Sequence, residues 1–236
     1  MSVHKSFTLL KRFSLVVYIS LAIVLLSGCF STKGMGTATQ DEKAVVLHKI
    51  AVIPFQSLIS NDPSVKFVRC PVCGIMFSTC PCPDNPEVII EEILVKKLTA
   101  HKQIVLISVD KVRGTYRRVR ADSFKATPRE IFERVGRELG ADVVLAGYIY
   151  RYRERKGNNY SVKQPASVAF GIHLFRVSDG NFVWKGIFDK TQGSLLENIL
   201  DVSSFIRGRG KWVTARQLSE AGVDKILKTF PDMENK

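Results

Sequence analysis

Four of the five cysteines in this 236-residue chain fall close together, as Cys70-Pro71-Val72-Cys73-Gly74 and then Cys80-Pro81-Cys82. Thiolates are soft donors suited to zinc. A Cys-x-x-Cys turn aims two sulfurs at one ion, while a following glycine lets backbone amides approach them. Cys70, Cys73, Cys80 and Cys82 are therefore the candidate metal ligands, with Zn as the ion. In an oxidising compartment the same pairs would close as one or two disulfides, and a free or redox-active thiol pair is a third chemistry open to them. Metal or disulfide would staple the same Cys-rich loop, residues 56–85, and a long ordered loop is often a partner-binding surface.

The first half of this motif resembles a zinc knuckle. The second half is Cys-x-Cys, and the six residues between the pairs are fewer than a zinc ribbon carries. Cys70 and Cys73 also lie in a loop rather than at a helix start after a strand, which disfavours thioredoxin-like chemistry. Elsewhere the signals are weak. The four histidines are scattered, and His173, inside a strand, reads as a packed core or edge residue. Glu91 and Glu92 are neighbours on a helix and do not face each other. No glycine-rich phosphate loop follows a strand. Arg207, Arg209 and Lys211, in an Arg-Gly-Arg-Gly-Lys stretch before a helix, are a weak candidate anion site, and the usual behaviour of surface loops favours a flexible basic loop instead. Nothing assembles into a catalytic constellation, so an enzyme is not expected.

The fifth cysteine belongs to a different chemistry. Lys5, Lys11 and Arg12 precede an apolar run from Phe13 to Leu26, the order of a cleavable signal peptide. The run is roughly 14 residues, short of the ~20 that a helix needs to cross a bilayer. It closes on Leu26-Ser27-Gly28-Cys29, which resembles a bacterial lipobox. The resemblance implies a diacylglyceryl thioether on Cys29, cleavage after Gly28 and acylation of the new amino terminus. Two or three chains hold stably in a membrane, since each buried methylene contributes about 0.8 kcal/mol. Phe30, where an Asp would retain a lipoprotein at the inner membrane, favours the outer membrane facing the periplasm. Residues 1–28 are then the signal peptide, 29–47 a lipidated flexible tether, and 48–231 a folded domain.

The charge balance fits that setting. Lys and Arg number 35 against 22 Asp and Glu, and the leader removes three basic residues and no acid. A basic surface suits anionic headgroups, envelope polymers or nucleic acid, and export argues against the last. The basic residues cluster as Arg113, Arg117, Arg118 and Arg120, and as Arg151, Arg153, Arg155 and Lys156. The second group alternates with Tyr148, Tyr150 and Tyr152. At strand period this places aromatics on one face and charges on a solvated other, with an anionic-partner site as the alternative.

The remaining pattern supplies the elements. Lys49 to Phe55 reads as a buried strand ended by Pro54, and residues 86–100 as a helix with acids early and lysines late. Ile104 to Ile107 reads as a second buried strand. Thr127-Pro128-Arg129-Glu130 starts a helix that Gly140 ends. Residues 142–152 form a strand running from the core out to an edge. A polar turn sits at Gly157, and a hairpin of strands 166–177 and 181–190 turns at Asp179-Gly180. Trp212 to Phe230 is an amphipathic helix stopped by Pro231. This order predicts an α/β single-domain sandwich with a mixed β-sheet, a β-hairpin and packed helices.

Three stretches carry a family resemblance: Ile50-Ala51-Val52-Ile53-Pro54-Phe55, Leu139 to Gly147, and Leu174 to Trp184. Together they resemble the superfamily of the TolB amino-terminal domain, the curli-secretion lipoprotein CsgG and the lipoproteins that activate penicillin-binding proteins. The likeness implies binding and scaffolding in the envelope, with no catalytic residues to carry over. A CsgG-like pore needs long amphipathic membrane hairpins, and residues 153–165 are short and polar, so no pore is expected. The leading expectation is a membrane-anchored periplasmic lipoprotein acting as a non-catalytic scaffold or assembly factor in envelope biogenesis or secretion. Its partners would be the membrane through acylated Cys29 and another envelope protein or a second copy, with no nucleic acid. The alternative is a metal- or redox-handling envelope lipoprotein that uses the four-cysteine loop.

Overall fold

The computed structural model describes residues 49–82, 85–101, 104–158, 161–193 and 212–231. The leader, Cys29, the tether, and Arg207, Arg209 and Lys211 lie outside the described residues. Strand β1 (Lys49–Val52) runs parallel to β6 (Val143–Arg153), with Ile50 opposite Val143 and Val52 opposite Leu145. Pro54 has no N–H to give to a ladder, and the pairing resumes only at β2 (Gln56–Ser57), where Gln56 faces Tyr148. The interruption leaves the Phe55 N–H without a ladder partner. It donates instead to Glu91 Oε2 at 2.8 Å, in the interior. The other oxygen of Glu91 receives Arg113 at 3.1 Å. An acid on helix α1 (Pro86–Thr99) is thus buried because it satisfies a backbone donor that proline's strand break orphaned.

The main sheet places two strands, β9 (Ser167–Arg176) and then β10 (Phe182–Thr191), on one side of β6, and β1 and then β5 (Val105–Leu106) on the other. The β1, β2, β5 and β6 pairings are parallel; β9 pairs antiparallel with β6, and β10 antiparallel with β9. Alternation along the strands sends two apolar sets in opposite directions. One set, including Val143, Leu145, Phe170 and Ile172, packs under α1 and the final helix α4 (Ala215–Leu227). The other, including Val144, Ala146, Tyr148 and Phe175, packs under α2 (Val109–Ala121) and α3 (Pro128–Leu139). The mixed α/β sandwich expected from the element order is the observed architecture.

Local signals hold where the chemistry is local. Thr127 caps α3 through a reciprocal capping box with Glu130, and Gly140 ends it at φ +59°. Asp179 and Gly180 close the β9–β10 turn, Gly180 at φ +63°. Gly147 lets a neighbour come close: a Cβ there would lie 2.3 Å from the Phe55 ring. The last helix begins at Ala215 rather than Trp212, because Thr214 and Gln217 form a second capping box.

Several expectations are corrected. Residues 109–121, read only as a basic cluster, form helix α2, whose buried stripe is Val112, Tyr116 and Val119. The stretch 104–107 contributes only β5 (Val105–Leu106), an edge strand with Val105 exposed. Strand β6 does not run out to an edge; it lies between β9 and β1–β2 and is buried through Tyr152. Its pairing with β9 slips between Ile149 and Arg151, a bulge that breaks the two-residue alternation. Tyr148 and Tyr150 consequently pack on one face and Tyr152 on the other. Arg151, expected on a solvated face, is buried. The polar turn near Gly157 is a short ribbon of β7 (Lys156–Gly157) and β8 (Val162–Gln164).

Candidate metal centre

The Cys-rich loop contains its own hairpin, β3 (Phe67–Arg69) and β4 (Met76–Ser78), with Val68 opposite Phe77 and Arg69 opposite Met76. Period-two alternation turns Val68 and Phe77 inward and leaves Phe67, Arg69 and Met76 outside. The tip is the Cys70–Gly74 turn. Cys70 N–H donates to Ile75 O at 2.9 Å, and Gly74 N–H to Cys70 O at 3.0 Å. Gly74 takes φ +73°, which a residue with a Cβ rarely adopts. The turn folds the Cys73 N–H back to within 3.4 Å of the Cys70 sulfur.

Two contacts seat this hairpin on the sheet. The Phe77 ring stacks on Tyr150 of β6 with centroids 3.9 Å apart. Arg151, brought to this face by the bulge, donates to the Ser78 carbonyl at 3.1 Å and to Ser167 Oγ at 2.7 Å, and it also bonds the Ser78 hydroxyl and pairs with Asp189. Docking carries Cys70 onto His173 in the middle of β9, with Sγ and Nε2 3.5 Å apart. One donor atom from each of Cys70, Cys73 and His173 lies within 4.8 Å of the other two. The Tyr148 ring meets the imidazole edge-on at 5.9 Å, and Lys185 is its cross-strand neighbour.

The surroundings polarise the two thiols in opposite directions. Burial pushes Cys70 up, but the His173 imidazole, the Cys73 N–H and the nearby Tyr150 hydroxyl together bring it down to about 6. Burial raises Cys73, and the Cys70 sulfur beside it adds to the rise. Desolvation also pushes the Tyr148 and Tyr150 phenols well above their ordinary value, so both stay protonated. The Tyr150 hydroxyl and His173 Nδ1 are buried and reach no partner with full hydrogen-bond geometry.

Of the four cysteines singled out from the sequence, the structure gathers Cys70 and Cys73. Cys80 and Cys82 are half-buried and outside this group, and Cys82 packs against the apolar cluster on the opposite face of the sheet. The third member is His173, whose setting in the sequence reads as that of a packing residue. It is indeed wholly buried. A usable signal existed: a histidine in a strand apolar on both faces must find a polar partner. Nothing in the sequence says that the partner lies on the hairpin.

A mixed-sheet α/β fold with a thiol–imidazole cluster beneath a hairpin defines the chain structurally. No family model matches the sequence, and no curated protein matches it. The chain is similar at low identity to several solved structures. One is a hypothetical protein from Chlamydia trachomatis, at 16% identity over 77% of this chain and 96% of that one, TM-score 0.43. Another is the LpoB C-terminal domain from Salmonella enterica, at 16% identity over 65% and 88%, TM-score 0.37. A third is a lipoprotein from Neisseria meningitidis, at 17% identity over 67% and 94%, TM-score 0.39.

Proposed function

We propose that this chain is a lipid-anchored protein of the bacterial envelope, held through acylated Cys29 at the outer membrane and facing the periplasm. Its domain acts there as a non-catalytic scaffold or assembly factor that binds another envelope protein or a second copy of itself. The lipobox-like Leu26-Ser27-Gly28-Cys29 supports the anchor. The observation that carries the binding role is the outer side of the Cys hairpin, where Phe67 is 62% exposed, Met76 53% and Ile75 38%. Three large apolar side chains on one short hairpin are costly to leave in water and suit the centre of a protein contact. Cys70 and His173, the pair closest in chemistry to a nucleophile and its base, lie beneath that surface, which supports a structural rather than a catalytic or metal-delivering use.

Two measurements test this reading on the full chain. Labelled palmitate should enter the wild-type protein and its membrane fraction, and be absent from Cys29→Ser. Photo-crosslinking from positions 67 and 76 in cells should give one discrete adduct. Phe124, 99% exposed and remote from the hairpin in sequence, serves as the control. Equal crosslinking from all three positions would remove the hairpin as the contact surface.

A further inference from the structure

We propose that Cys70, Cys73 and His173 together bind a zinc ion that ties hairpin β3–β4 to strand β9. The donor set is two soft sulfurs and a borderline nitrogen, ligand types that zinc takes in tetrahedral sites, here with three positions filled by the chain. The geometry fits. Ordinary Zn–S and Zn–N lengths set at a tetrahedral angle separate sulfur and nitrogen by about 3.6 Å, and Cys70 Sγ stands 3.5 Å from His173 Nε2. The Cys70–Gly74 turn already has the form of a knuckle, with a backbone N–H on the Cys70 sulfur and a left-handed glycine after Cys73.

The surroundings favour an ion over a hydrogen-bonded thiol alone. A buried thiol–imidazole pair would need only Cys70 and His173, whereas Cys73 brings a second sulfur to the same point. The Tyr150 hydroxyl, buried beside this cluster without a full hydrogen bond, is placed to donate to a metal-bound thiolate. Gly171 keeps the space open. A Cβ at that position would come within 2.8 Å of the Tyr150 oxygen and 3.1 Å of His173 Cε1. Cys80 and Cys82 are not needed for this site, and the fourth position is left to water or a neighbouring donor.

The site and the proposed partner surface use different side chains: Cys70 and His173 are buried and Cys73 half-buried, whereas the partner would meet exposed Phe67, Ile75 and Met76. Metal content and crosslinking are separate readouts, so loss of one with the other kept tells the two proposals apart. The test uses full-length protein in detergent, purified under reducing conditions with Zn2+ as the probe. We expect about one zinc per chain, removed by strong chelators. X-ray absorption on the wild-type protein should give a mixed shell with two sulfurs and the rest nitrogen or oxygen. Zinc should be lost in Cys73→Ser and His173→Gln and kept in the Cys80→Ser/Cys82→Ser double variant. A four-sulfur shell, or zinc lost with Cys80 and Cys82, would overturn the donor set. No zinc in the reduced protein, with no sulfur-to-metal absorption on adding Co2+, would overturn the site. The absorption measurements need no variant to fold.

Discussion

The Cys70 sulfur and Nε2 of His173 meet at 3.5 Å across 103 residues of chain. Burial opposes ionisation there, yet the imidazole, the Cys73 N–H and Tyr150 bring the thiol to about 6. In metal-stripped protein, thiolate absorbance should therefore rise near that pH, and His173→Asn should move the rise toward the ordinary thiol value. The folded value is depressed, so the stability it contributes is complete above the unfolded pKa of about 8.5 and is lost as pH falls through about 6. An unmoved midpoint would assign the effect to Cys73 and Tyr150 instead of the imidazole.

Arg151 should prove to be the clamp of the hairpin. Arg151→Met keeps the volume but removes the bonds to Ser78, Ser167 and Asp189. The expected loss is about 2 kcal/mol, below the full cost of a broken buried pair because Asp189 stays half in water. Hydrogen exchange should show the amides of 67–78 opening while those of α1 and α4 keep their protection. Uniform loosening of the whole domain would contradict a local clamp.

Gly147 leaves no room for a methyl group against Phe55. Gly147→Ala should destabilise by about 2 kcal/mol through overpacking, read from the urea midpoint. Adding Phe55→Leu should recover part of that loss, because the two sites touch and their effects are not additive. Simple addition of the two losses would mean that the strain lies in the strand backbone.

At the β9–β10 turn, the Asn181 N–H, with Arg176, holds the Asp179 carboxyl below its usual value against a small opposing effect of burial. The stabilisation is present above the ordinary carboxylate pKa of about 4 and disappears as pH falls through the lower folded value. Wild type should be more stable than Asp179→Asn at neutral pH, and the two should converge in strong acid. A difference that persists there would indicate a role for the side chain other than its charge.

The sequence by itself determined several features that depend only on neighbours along the chain. The Thr127–Glu130 capping box, the left-handed Gly140, the Asp179-Gly180 turn and the proline-ended β1 are each written in a few adjacent residues, because caps and turns are closed by hydrogen bonds spanning two to four positions. The element order then restricts the layers to an α/β sandwich. Helix α2 was legible too, in Val112, Tyr116 and Val119, but its many arginines hid the spacing. Tertiary structure alone decided three things: the bulge that turns Arg151 inward, the placing of Glu91 as the buried acceptor at the Pro54 strand break, and the choice of His173 as the companion of Cys70 and Cys73. Each depends on which strand lies beside which and in what register, and pairing between distant segments is set by the packing of whole faces rather than by any local run of residues.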